Sequence, residues 1–125
     1  MTNALADSSL HPSPSQISAL SQRVGKVLRA FGVARGADRL TSDEVLVFLA
    51  LGHLGQTANS YGVAVRPVTC LDLAEMLSIP KETVRRKLAR LVDLQLAETT
   101  GRGTLILDQE EWRRIAGSVV GAASC

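Results

Sequence analysis

Lys81, Glu82, Thr83, Arg85, Arg86, Lys87 and Arg90 lie within one short segment, and Arg102 follows between two glycines. Between Lys81 and Arg102 the chain carries six basic side chains, Lys81, Arg85, Arg86, Lys87, Arg90 and Arg102, against three acidic ones, Glu82, Asp93 and Glu98. Pro67 to Pro80 carries only Asp72 and Glu75. A net charge of +2 thus hides a local basic stripe. Arg86 and Arg85 have the planar fork that gives two parallel hydrogen bonds to a guanine edge, and Glu82 can accept from cytosine N4. Thr83, Lys87 and Arg90 suit phosphate oxygens. Arg102, at a Gly-Arg-Gly turn, suits the negative potential of a narrow minor groove. The bland alternative is a solvated helix face and an ordinary exposed turn. Charge alone favours that alternative, so the elements around these residues must decide.

Those elements are legible. Thr69 is a good N-cap for a short helix over Cys70 to Leu77. Ser78-Ile79-Pro80 is a turn, and Pro80 opens a helix running to about Leu94. Leu73 and Leu77 anchor the first helix of this pair, Ala74 permits close crossing, and Ile79 plugs the turn. Val84, Leu88, Leu91 and Val92 line one face of the second helix and leave the basic face free. Ala97–Thr100 and Thr104–Asp108 are strand-like runs joined by Gly101-Arg102-Gly103. The expected helix-turn-helix spans 69–94 and the hairpin wing 97–108.

The run Ile79-Pro80-Lys81-Glu82-Thr83-Val84-Arg85-Arg86-Lys87-Leu88, with Leu91 and Leu96-Ala97-Glu98, resembles the DNA-binding domain of bacterial Crp/Fnr-type regulators. It is also similar to MarR-, IclR- and GntR-type winged helices. The resemblance covers roughly Val68 to Asp108, about a third of the chain. In the Crp/Fnr family the first basic residue, the Glu and the Arg two past the Val of this motif touch bases or phosphates. The resemblance therefore implies such contacts for Lys81, Glu82 and Arg86. It does not extend to a cyclic-nucleotide barrel, which would need more strands and more residues.

The rest of the chain frames this unit. Residues 1–12 are polar and without periodicity, and read as a disordered tail. Ser13-Pro14-Ser15-Gln16 starts a helix whose apolar positions Ile17, Leu20, Val24, Val27, Leu28 and Phe31 recur at steps of three and four, with Gly32 as its end. Thr41-Ser42-Asp43-Glu44 is a second capping box, opening an apolar helix over Val45 to Leu54 that should form the buried centre. Asn59 to Gly62 reads as a loop and Val63 to Val68 as an edge strand, interrupted by Arg66 and Pro67. Asp108 and Glu111 form a further capping box for a C-terminal helix over 109–121. The expected fold is mainly α with a small β-hairpin wing: a winged helix-turn-helix with extra N- and C-terminal helices, one domain over 13–125.

Composition bounds the alternatives. Hydrophobic residues make up 46% of the chain and aromatics 3%, so the core is aliphatic. No apolar run reaches the roughly 18 residues of a membrane span, and Met1 to Pro14 lacks a secretory signal, so a cytoplasmic location is expected. Cys70, Cys125, His11 and His53 have no zinc spacing. Cys70, at a helix start, reads as a small core residue rather than a redox thiol. His53 reads as a satisfied structural residue, and Trp112 with Ile115 and Val119 as packing. No nucleophile-base pair, phosphate loop or metal cluster is present, so no enzyme, catalytic residue, metal or cofactor is expected. The reading is sequence-specific binding of double-stranded DNA and transcription regulation. The alternative is a winged-helix interaction module within a larger regulatory complex, with a protein partner. A homodimer through the N- and C-terminal helices is expected, because one winged helix reads only about half a site.

Overall fold

Ser13 caps the first helix as its sequence predicts: its backbone N–H donates to Gln16 Oε1 (2.8 Å) and its Oγ accepts from the Gln16 N–H (3.3 Å). The structure is a computed structural model that describes residues 13–38 and 40–124. The tail 1–12, with His11, and Cys125 lie outside the described residues. Helix α1 is Pro14–Asp38, α2 is Ser42–Gly55, and strands β1 (Gln56–Asn59) and β2 (Gly62–Val65) follow. Helix α3 is Cys70–Leu77, α4 is Lys81–Asp93, the wing strands are β3 (Ala97–Thr100) and β4 (Gly103–Ile106), and α5 is Gln109–Ser124. The fold is mainly helical with an antiparallel hairpin wing, a winged helix-turn-helix flanked by α1 and α5.

Helix α2 is the centre. Thr41 and Glu44 form the full capping box at its start, with Thr41 N–H donating to Glu44 Oε1 (2.9 Å) and Glu44 N–H to Thr41 Oγ1 (3.2 Å). Val45, Val47, Phe48 and Leu51 are fully buried on it. Leu73 of α3, Val84 and Leu91 of α4, Ile115 of α5 and Val68 meet them in one core. Fully burying a side chain of this size contributes roughly 1.5–3 kcal/mol each, which is what clamps α4 to the body.

Five expectations need correction. Helix α1 does not end at Gly32 but continues to Asp38. A single glycine costs a helix only about 1 kcal/mol, and no proline follows to stop this one. Asn59 to Gly62 turns the chain as a loop should, but its flanks pair as a second hairpin that was not expected: Gln56 pairs with Val65, and Thr57 with Ala64. Pro67 has no N–H and divides the expected edge strand, so Gly62–Val65 joins β1 while Val68 pairs with Thr104 of the wing instead. At the last helix, Asp108 Oδ1 accepts from the Glu111 N–H (3.0 Å), but the Glu111 carboxylate turns to Arg114 (Nη2, 2.6 Å) rather than back to Asp108. Only half of that capping box forms, and α5 runs on past 121 to Ser124.

Candidate nucleic-acid interface

The pair α3 and α4 is set by local chemistry. Thr69 Oγ1 accepts from the Asp72 N–H (3.1 Å) at the start of α3. Ser78 ends α3 in the left-handed region (φ 56°), its N–H returning to the Ala74 carbonyl. That conformation costs a non-glycine residue roughly 1–2 kcal/mol, and it reverses the chain within three residues. Ile79, half-buried, fills the corner against the core. Pro80 then stands as the N-cap of α4.

Helix α4 is anchored on one side only. Val84, Leu88 and Leu91 are buried. Glu82, Arg86, Ala89 and Asp93, at steps of four and three, form the ridge opposite, and all four are exposed. Lys81 and Arg85 flank that ridge on one side. Thr83, Lys87 and Arg90 flank it on the other, with Thr83 and Lys87 half-buried.

The structure sorts the predicted side chains by their ion pairs. Arg85 clasps Glu82 through Nε (3.0 Å to Oε1) and Nη2 (2.5 Å to Oε2). Those hydrogen bonds hold the Glu82 carboxyl below its ordinary range and raise the Arg85 guanidinium above its own. Arg90 leans toward the body, with Nε 3.9 Å from Oε1 of the buried Glu44. Lys81, Arg86, Lys87 and Arg102 make no salt bridge among the described residues, although the charge of Arg86 adds to what lowers the Glu82 carboxyl. Arg86 thus combines a place on the exposed ridge of α4 with a guanidinium that no carboxylate contacts.

Arg102 is exposed at the two-residue turn Gly101-Arg102. The turn is braced by Thr100, whose Oγ1 donates to the Gly103 carbonyl (2.9 Å) and accepts from the Arg102 N–H (3.2 Å). Gly103 adopts φ 142°, and a Cβ there would lie 2.6 Å from the Val68 carbonyl oxygen. Glycine is therefore required for the wing to reach Val68, whose N–H donates to Thr104 O (2.9 Å) and whose carbonyl accepts from Thr104 N–H (2.8 Å).

Two other expectations meet the structure here. Cys70 is half-buried against the core, as a small packing residue. His53 is exposed and makes no hydrogen bond among the described residues, so it is not a satisfied core histidine. Sequence reading also missed the β1–β2 hairpin, which carries Tyr61 at its tip, 97% exposed. Asn59 before Ser60-Tyr61-Gly62 was the available signal, because its Oδ1 accepts from the Tyr61 N–H (2.8 Å) and mimics a turn. Among the described residues no helix is long and apolar enough to cross a membrane, and no group of three or more His, Cys, Asp or Glu could hold a metal ion.

No family model matches the chain, and no curated protein matches it. Among solved structures the chain is similar to one described as a "putative transcriptional regulator protein from Pseudomonas aeruginosa PA01". The two are 19% identical, the match covers 90% of this chain and 76% of the other, and the TM-score is 0.53. At that identity the likeness is one of fold.

Proposed function

We propose that this protein binds double-stranded DNA sequence-specifically and regulates transcription in the cytoplasm, with 13–125 as its single domain. Helix α4 enters the major groove and the wing tip meets the minor groove. One observation carries this reading: four cations that no carboxylate contacts, Lys81, Arg86, Lys87 and Arg102, sit on the exposed ridge and flanks of α4 and at the wing tip. An interaction module would place apolar or aromatic anchors on that side. Helix α4 offers none there, since its exposed ridge is Glu82, Arg86, Ala89 and Asp93. The resemblance of the α3–α4 motif to Crp/Fnr- and MarR-type regulators supports the same assignment, as does the fold of the Pseudomonas regulator.

In this reading Arg86 reads a base and Lys81, Thr83 and Lys87 position the helix on phosphates. Glu82 and Arg85 act as a pair, and Arg90 sits at the edge of the footprint beside Glu44. Selection of bound fragments from a random DNA pool, followed by gel shifts at several salt concentrations, tests the reading. Arg86→Ala should weaken the selected site by roughly 1–3 kcal/mol and relax preference at one position. Equal binding of parent and variant to that site removes Arg86 from the readout.

The protein acts as a symmetric homodimer in this proposal. Helix α1 is about 37 Å long at 1.5 Å per residue, yet every residue from Pro14 to Val24 is exposed. Ile17, Leu20, Val24, Val27 and Phe31 recur at three and four residues, the spacing of a coiled-coil seam. Leu20, Val24, Val27 and Leu28 line a shallow apolar groove of about 250 Å³. Val120 on α5, which packs on α1, is exposed as well. A second copy laid on this face would cover it, and two modules related by a two-fold axis can read half-sites about one turn of DNA apart.

The second reading, an interaction module in a larger complex, draws on the β1–β2 hairpin. None of the residues from Gln56 to Val65 is charged, and its strands are exposed on nearly all sides. Binding that fails to weaken with salt, or no DNA binding at all, would favour it.

A further inference from the structure

Arg90 stands on the same flank of α4 as Thr83 and Lys87, at steps of four and three, and by position should continue their row of phosphate contacts. The fold gives it an acid instead. Its Nε lies 3.9 Å from Oε1 of Glu44, in the first turn of α2. Among the described residues the buried polar side chains are Glu44 and Thr104, and Glu44 alone of the two carries a charge. The partners differ in freedom. The Glu44 side chain is 8% exposed and that of Arg90 44%. The same Oε1 accepts the Thr41 N–H (2.9 Å), so the carboxylate is fixed in place and the guanidinium is the partner that can move.

Neither helix needs this contact to hold its position. Helix α4 is anchored by the buried Val84, Leu88 and Leu91. The start of α2 is closed by both hydrogen bonds of the capping box, and Val45 and Val47 are buried beside it. A glutamine completes such a box as well as a glutamate does, so the cap does not call for the negative charge. At 3.9 Å the pair is too long for a hydrogen bond but close enough for the charges to offset one another. Lys87 therefore brings a full positive charge to a phosphate, while Arg90 brings one that a fixed carboxylate already offsets.

We propose that Glu44 is a positioning residue for DNA binding: it offsets Arg90 and so removes one phosphate contact from each bound chain. Duplex of any sequence is then held more weakly than the cations of α4 would allow. A phosphate contact carries no sequence information, so its removal leaves more of the binding to base contacts such as that of Arg86. The proposal rests on the DNA-binding reading above.

The parent, Glu44→Gln, Arg90→Gln and the double variant are compared by gel shift on one random-sequence duplex over a range of salt. Glu44→Gln should steepen the salt slope by about 0.9, so its advantage over the parent should grow roughly 3.5-fold from about 0.2 M to about 0.05 M salt. Arg90→Gln alone should leave the parent slope unchanged, and in the double variant it should erase the gain. Loss of a purely structural residue would not tighten binding, nor would its effect vanish with Arg90. In the protein without DNA, the Arg90 Nε–H signal of a proton–nitrogen correlation spectrum should move in Glu44→Gln, which checks the pair by itself. An unchanged slope in Glu44→Gln, or a gain that persists in the double variant, would overturn the proposal. Flattening of the parent slope by about 0.9 in Arg90→Gln would overturn it too, whether or not Glu44→Gln folds, because Arg90 would then already contact phosphate. Lys87→Gln separates these failures from failure of the DNA reading, since it should flatten the parent slope by about 0.9 in either case. A parent that binds no duplex would overturn that reading and this proposal together.

Discussion

Gly52→Ala sets two physical arguments against each other with opposite signs. Gly52 lies within α2, where replacing glycine by alanine ordinarily stabilises a helix by roughly 0.5–1 kcal/mol. The structure predicts the reverse, because the new Cβ would stand 2.0 Å, 2.3 Å and 2.5 Å from Nε1, Cε2 and Cδ1 of Trp112. The neighbouring helix backbone cannot yield, so the indole must move. Moving it breaks the hydrogen bond to the Leu49 carbonyl, about 1 kcal/mol. It also exposes part of a half-buried ring, about half the roughly 1.5–3 kcal/mol of a fully buried large side chain. The losses come to about 2–2.5 kcal/mol against a gain of about 0.5–1, a net destabilisation of about 1–2 kcal/mol. For a chain of this size that is a fall in Tm of roughly 4–8 °C. Thermal unfolding followed by circular dichroism gives the Tm, and the emission maximum of the only tryptophan reports its exposure, which should shift to the red. In a Trp112→Ala background the same substitution should turn stabilising, by roughly 0.5–1 kcal/mol, since nothing then occupies the space. A raised Tm in the parent background with unchanged emission would refute the seating of Trp112 on Gly52.

The remaining predictions concern the interface and the assembly. Arg102→Ala should weaken DNA binding most on A·T-rich flanks, as measured by gel shift on sites that differ only in flank; a loss independent of flank would remove the wing tip from the minor groove. Lys81 and Lys87 contacting phosphate would give a salt slope of about −1.8 per bound chain, and Glu82→Gln, by releasing Arg85 toward a phosphate, should steepen it by about 0.9. Because Arg85 holds the Glu82 carboxyl below its usual range, the pair survives mild acid and opens only as pH falls through that lowered value; the parent slope should therefore stay constant down past the ordinary glutamate range. Leu20→Glu should leave the fold intact, since Leu20 is already 55% exposed, yet convert a species of twice 13.3 kDa to one of 13.3 kDa by light scattering. Gly103→Ala drives a Cβ into the Val68 carbonyl and should destabilise the wing, visible as lost amide protection at Val68 and Thr104.

What was legible in the sequence was legible for a local reason. The caps at Ser13, Thr41 and Thr69 each depend on a side chain and a backbone N–H three residues apart, so the neighbouring residues suffice to specify them. The α3–turn–α4 unit is likewise short-range, its apolar spacing set against the charged stripe of Lys81 to Arg90. The half-formed capping box at Asp108 marks the limit. The Asp108 N–H that would complete the box donates instead to the Leu96 carbonyl (3.2 Å), and the Glu111 carboxylate binds the guanidinium of Arg114.

The tertiary structure decided what depends on distant partners. Strand β1 has no period of its own in Gln56-Thr57-Ala58-Asn59, and becomes a strand because β2 lies beside it. Which cations remain uncompensated was hidden too, since Arg90 meets a glutamate that is remote in sequence. Gly52 reads from the sequence as a weak end to a helix. Only the fold brings Trp112 onto it and sets the indole N–H against the Leu49 carbonyl 63 residues away, because such contacts exist only after the core has closed. Composition and spacing determined where the helices start and the α3–turn–α4 unit; three-dimensional packing decided where α1 ends, which side chains pair, and which contacts lie far apart in sequence.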